Sequence, residues 1–195
     1  MHALRLFLAI DIPNSAREQI TAIQNHFKAL KLDVTWVKPA NIHLTVKFLG
    51  NTDPGMIPGI KDSMANIART TPPFFLHSGG IGVFPSLARP RVLWVGLEDP
   101  KNHLDRLKNQ VENAMSSLGF PPDNKDSVYH LTLGRIKSPR GKERLRKEVE
   151  SNTQSAFDPF EVSAVKLIKS ELTAKGSIYT VLEEFVFNRS LANIA

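Results

Sequence analysis

The tripeptide His-Leu-Thr occurs twice in this chain, as His43-Leu44-Thr45 and, 87 residues later, as His130-Leu131-Thr132. Each copy lies in a largely apolar run, Ile42 to Leu49 and Tyr129 to Leu133. Successive side chains of a strand point to opposite faces. His43 and Thr45 therefore share a face, with Leu44 and Val46 behind them. His130 and Thr132 repeat the arrangement, with Leu131 and Leu133 behind. An imidazole changes charge near neutral pH, so one ring can take a proton from water while a second, charged ring gives one to a leaving oxygen. Threonine hydroxyls can donate to the non-bridging oxygens of a phosphate. The set suits in-line attack on a phosphodiester, with acid and base on opposite sides of phosphorus, and a strained cyclic phosphate is its natural substrate. With six histidines in the chain, two such tripeptides arise by chance in on the order of one sequence in a thousand.

Arg135 follows His130 by five residues, and a guanidinium there would grip a phosphate through two parallel hydrogen bonds. Regular alternation puts it on the wrong face. A glycine within a strand often marks a bulge, so a local irregularity at Gly134 is expected to turn Arg135 toward the histidines. Lys47 has the parity of His43 and Thr45 but sits further along, where a solvated flank is expected. A metal centre would need further ligands. Neither motif carries Asp or Glu within its strand, no His-x-x-x-His occurs and there is no cysteine. No metal and no cofactor are expected.

The elements that must carry these residues alternate along the chain. Residues 4–11 read as a strand closed by Asp11 and Pro13. Asn14 reads as the N-cap of a helix to Leu30, with Ile20, Ile23 and Phe27 at helical spacing. Val34 to Val37 is a short strand, and the first histidine strand covers about 42–49. A helix over 55–69 carries Ile57, Ile60, Met64 and Ile67 on one stripe. Phe74 to Val83 is a strand interrupted at Gly79-Gly80, and Arg91 to Leu97 is another. A helix over 101–118 spaces Leu104, Leu107, Val111 and Met115 three or four apart. The second histidine strand covers 129–136, a charged helix runs from Gly141 to about 150, and two last strands lie near 160–169 and 177–187. About eight strands and four helices in two βαβ-like halves predict an α+β architecture. Residues 1–195 are expected to form one domain of two pseudo-symmetric lobes facing each other across a cleft, each with one histidine strand.

Apolar residues make up 42% and charged residues 23% of the 195, which is ordinary for a globular domain with a real core. No apolar stretch approaches the roughly 20 residues that span a bilayer. The apolar part of Met1 to Ile10 is too short for a signal peptide. A cytoplasmic monomer with no membrane contact is the expectation. A net charge of +6 favours anionic partners, RNA among them. Gly79-Gly80-Ile81-Gly82 lacks the third glycine of a dinucleotide fingerprint and the Gly-Lys-Ser/Thr ending of a P-loop. His2, His26, His77 and His103 have no partner motif and are expected to be structural or surface groups. The charges from Lys142 to Lys147 read as a solvated helix face.

At the two His-x-Thr motifs the chain resembles the 2H phosphoesterase superfamily, and more closely its RNA 2′,3′-cyclic phosphodiesterases, also called 2′-5′ RNA ligases. The resemblance runs through Arg5 to Asp11, Trp36 to Pro39, His43 to Gly50, Gly82 to Pro85, Pro90 to Trp94, His130 to Arg135, Ser170 to Leu172 and Gly176 to Tyr179. It implies the bilobal α+β fold of that superfamily, two lobes of antiparallel sheet plus helices around a central cleft. It implies hydrolysis of RNA 2′,3′-cyclic phosphate ends to 2′-phosphates without metal. It implies that His43 is the proton donor to the departing 3′ oxygen, that His130 is the proton acceptor, and that Thr45, Thr132 and Arg135 hold the phosphate. The same site could join RNA ends in reverse through a 2′-5′ bond, and an RNA-binding module without turnover is the reading outside enzymes. Leu8 stands where many relatives carry a second aromatic, which moves any base-stacking role to Phe7, Trp36 or Phe84.

Overall fold

A computed structural model describes residues 2–123, 128–152, 157–174 and 176–191. Among them nine strands form one sheet in which every pairing is antiparallel. One half runs β3 (His43–Thr52), β1 (Leu4–Asp11), β8 (Ala164–Thr173) and β9 (Gly176–Val186). The other runs β6 (His130–Ile136), β5 (Val92–Glu98), β4 (Phe74–Phe84) and β7 (Phe160–Val162), with β2 (Val34–Trp36) against the free side of β6. The halves join where Leu44 of β3 pairs with Leu131 of β6. Each histidine strand is therefore the inner edge of its own half.

Four helices cover one face: α1 (Asn14–Ala29), α2 (Ile57–Thr70), α3 (His103–Ser117) and α4 (Lys142–Ser151). Each buries residues at helical spacing, such as Leu104, Leu107, Val111 and Met115 of α3, which is the stripe a helix needs to dock on a sheet. Helix α2 packs on β9, α3 on β3 and α4 on β4. Leu6, Leu8 and Ile10 of β1, Leu44 and Val46 of β3, and Leu131 and Leu133 of β6 all join the core beneath the helices. On the opposite face, Phe7, Ala9 and Ile168 form a separate small apolar cluster with Tyr179 packed against it. That second face carries the histidines.

Several boundaries differ from the sequence-based expectation. Pro13 occupies the N-cap of α1, so Asn14 is the first helical residue and caps nothing. Gly79-Gly80 does not interrupt β4; the sheet absorbs the pair as a register shift between Ser78 and Ile81 against β5. The segment 160–169 is two strands, separated at Ser163 and paired with different partners, β4 and β1. The halves are not parallel βαβ units. After α1 the chain first pairs as β2 with the other half, and β3 then returns antiparallel to β1. No helix among the described residues is long and apolar enough to cross a membrane.

Candidate active site

The Leu44–Leu131 pair decides the geometry of the site. Both leucines point into the core, so the residues on either side of them point to the opposite, open face. One step along an antiparallel pair sets His43 beside Thr132 and His130 beside Thr45. The two halves thus bring both imidazoles and both hydroxyls to one patch at the seam, and all four are half-buried. The proximity is felt electrostatically, since a charge on His130 disfavours a charge on His43.

Each ring is held in the same way. His43 Nδ1 lies 2.8 Å from the carbonyl of Asn41, and His130 Nδ1 lies 2.7 Å from the carbonyl of Val128. A carbonyl only accepts, so each Nδ1 carries a proton and each Nε2 is left for chemistry in the cleft. Aromatic rings fix the remaining freedom. Phe7 and Tyr179 flank His43 at centroid distances of 4.9 and 5.4 Å. Phe84 and Trp94 flank His130 at 4.8 and 6.2 Å. Gly82 pairs with Trp94 because a Cβ there would sit 2.3 Å from the indole. Burial pushes both imidazoles below their ordinary value, against the pull of the carbonyl bonds toward the charged form. Arg135 lowers His130 further. Around His43 the Asp11 carboxylate favours the charged ring, and Arg17 and His130 oppose it.

The irregularity expected at Gly134 is present. Thr132 pairs with Trp94 but Gly134 with Leu93, so β6 holds one extra residue, Leu133, against β5. The bulge reverses the alternation, and Arg135, opposite Val92, lies on the face of Thr132 and His130. Gly134 also makes room: a Cβ would stand 2.5 Å from Val34 Cγ1 of β2. The bulge is anchored from outside the sheet. The carbonyl of Leu133 accepts from Val37 N at 2.9 Å and from Gln24 Nε2 of α1 at 2.8 Å. The same amide also donates to the carbonyl of Val37 at 2.9 Å.

The first histidine strand bulges at the same offset. Thr45 pairs with Ala9 but Lys47 with Leu8, leaving Val46 as the extra residue. This corrects the expectation for Lys47. The bulge turns it to the core side, where it is fully buried and bonds Glu112 at 2.8 Å and the carbonyl of Pro121 at 2.9 Å. The residue turned to the open face is Phe48, paired with Phe7 and 60% exposed. Phe48 and Arg135 are thus counterparts, each five residues after its histidine. Among the stacking candidates, Phe7 is packed under His43, Phe84 lies against His130, and Trp36 lies over Gly134 of the bulge rather than in the patch. Alternation alone did not find Phe48 or Asp11. Asp11 reads in sequence as a strand terminator, yet it pairs directly with His43. Among the described residues, no three His, Cys, Asp or Glu side chains gather closely enough to hold a metal ion.

Comparison with known proteins meets the same two halves. The family model described as LigT like Phosphoesterase matches residues 10–94 and again residues 95–179, one histidine motif in each. An RNA 2′,3′-cyclic phosphodiesterase of Methanothermobacter thermautotrophicus is 35% identical over 182 residues, covering 93% of this chain and 98% of the relative. The protein of that description from Aquifex aeolicus is 34% identical over 186 residues, 95% of this chain and 98% of its own. Among solved structures, Escherichia coli LigT without ligand superposes with a TM-score of 0.79 at 26% identity, over 96% of this chain and 99% of that one. Its complex with 3′-AMP gives 0.76 at 26% identity, over the same 96% and 99%. The chain belongs to the LigT-like phosphoesterase family.

Proposed function

We propose that this chain hydrolyses 2′,3′-cyclic phosphate ends of RNA to 2′-phosphates by metal-independent acid–base catalysis, as one two-lobed unit with a single site at the seam. The observation that carries the reading is the matched pair of imidazoles at the seam, each with its Nδ1–H on a backbone carbonyl two residues upstream. Its relatives are named for this reaction, and the 3′-AMP complex of the E. coli relative is a nucleotide carrying a ribose phosphate. In this mechanism His130 Nε2 takes a proton from water as the water oxygen attacks phosphorus. The P–O3′ bond breaks in line, and His43 Nε2–H gives its proton to the departing O3′. The 2′-phosphate remains on the ribose, and exchange with solvent restores both rings. Thr45, Thr132 and Arg135 donate to the phosphate oxygens, the guanidinium carrying most of the charge that builds in the transition state.

The test is turnover of a 2′,3′-cyclic nucleotide in excess EDTA. His43→Ala and His130→Ala should each lower kcat by roughly 10²- to 10⁴-fold. Wild-type rates in either variant, or loss of wild-type activity in EDTA, overturn the mechanism.

A further inference from the structure

The two histidines are nearly interchangeable in their own geometry. Each heads its strand, precedes a bulge at the same offset, bonds a carbonyl two residues upstream through Nδ1, and touches two aromatic rings. A reaction that needs one ring charged and the other neutral must therefore take its direction from neighbours.

Two paired positions break the symmetry. The residue paired with His43 on β1 is Asp11, whereas the residue paired with His130 on β5 is Gly96. The registers make these counterparts, since Ala9 faces Thr45 as Trp94 faces Thr132. Five residues beyond the histidines the asymmetry has the opposite sign: neutral Phe48 on the His43 side, cationic Arg135 on the His130 side. Negative charge thus stands beside one ring and positive charge beside the other.

We propose that Asp11 is a positioning residue that makes His43 the proton-holding member of the pair, its carboxylate fixed across the strand by Arg17 and Lys166. This rests on the two-histidine reading above and adds to it the group that sets its direction. Asp11 Oδ1 accepts from Arg17 at 2.7 Å and from the backbone of Ile12 at 2.9 Å, and Oδ2 accepts from Lys166 at 2.9 Å. Lys166 is balanced in turn by Glu184 at 3.6 Å. Arg17 also donates to the carbonyls of Ile12 and Pro39, which directs part of its charge away from His43. Among the described residues, Tyr179 lies edge-on against the ring, and His130 across the seam opposes a charge on it. Burial would push the Asp11 carboxyl up, but Lys166 and Arg17 together hold it below the usual carboxylate range. It is therefore ionised wherever the histidines titrate, and its pull on a His43 proton outweighs the opposition of Arg17.

The test is an NMR titration of the imidazoles of the full-length chain without substrate, alongside pH profiles of kcat/KM. In Asp11→Asn the His43 titration should move to lower pH while that of His130 stays. The alkaline limb of the profile should move with His43, lowering kcat/KM by about tenfold at pH 7.5 for each unit of displacement. Lys166→Met removes a counter-charge and should move His43 the opposite way, so the proposal remains testable even if Asp11→Asn fails to fold. An unmoved His43 in both variants, or in Lys166→Met alone if the other is unfolded, overturns the proposal, as does a uniform loss of rate with both limbs in place. The titration needs no turnover. Shifts of the stated sign in a protein that does not cleave cyclic phosphates would sink the proposed reaction and leave the role of Asp11 standing.

Discussion

At the residue scale, both catalytic candidates are neutral-favouring histidines with a fixed tautomer. Their Nδ1 protons are committed to the carbonyls of Asn41 and Val128, so Nε2 is the nitrogen each ring has left to take or give a proton. Burial lowers both rings below the ordinary 6.5. The optimum of a bell-shaped profile lies midway between its two limbs. Each ring gives up its proton at a lower pH than a free imidazole, so both limbs move to the acid side and kcat/KM for a cyclic nucleotide should peak below pH 6.5. A profile measured from pH 4 to 9 checks this, and a peak above 7 refutes it. The histidines and threonines themselves were legible in the sequence, because types and parity in a short strand need no tertiary information. Which ring holds the proton was not, because it depends on Asp11 and Gly96, which come from strands distant along the chain.

At the element scale, the decisive feature is a bulge repeated in β3 and β6. Period-two reading works up to Val46 and Leu133, both in the core, and fails one residue later. In β6 the glycine signalled the failure, and Arg135 could be placed. In β3 no glycine marks it, so alternation puts Lys47 on the open face, whereas it is a buried cation paired with Glu112. Gln24 carried no signal at all: a glutamine on the buried stripe of α1 reads as a break in the pattern, yet it bridges the helix to the bulge carbonyl of Leu133. Arg135→Ala removes a charge-assisted grip of about 2 kcal/mol, a loss of roughly 30-fold in kcat/KM. Gln24→Leu should cost about 1–2 kcal/mol of stability and, by loosening the bulge that aims Arg135, roughly tenfold in kcat/KM. The double variant should lose less than the product of the two. Strict additivity in that cycle would show that Gln24 does not act through Arg135.

At the scale of the whole molecule, two halves that each match one family model bring their histidine strands together where Leu44 meets Leu131. The net charge of +6 acts over the entire surface. Attraction of a polyanion falls steeply with salt, while a single phosphate feels it weakly. Between 50 and 300 mM NaCl, KM for an oligonucleotide ending in a cyclic phosphate should rise several-fold more than KM for the mononucleotide. Equal salt dependence would mean that the protein contacts the RNA only at its terminal nucleotide. By itself the sequence determined the α+β class, the strands and helical stripes, and which side chains are candidates for acid–base work, because hydrophobic period and residue type act over a few neighbours. Only the tertiary structure decided that the repeated His-Leu-Thr faces meet, that two bulges turn Arg135 and Phe48 to the open side and Lys47 away, and that a carboxylate is paired with His43 where a glycine is paired with His130. Those outcomes depend on pairings between strands far apart in the chain, where register and charge are set by partners that local pattern does not name.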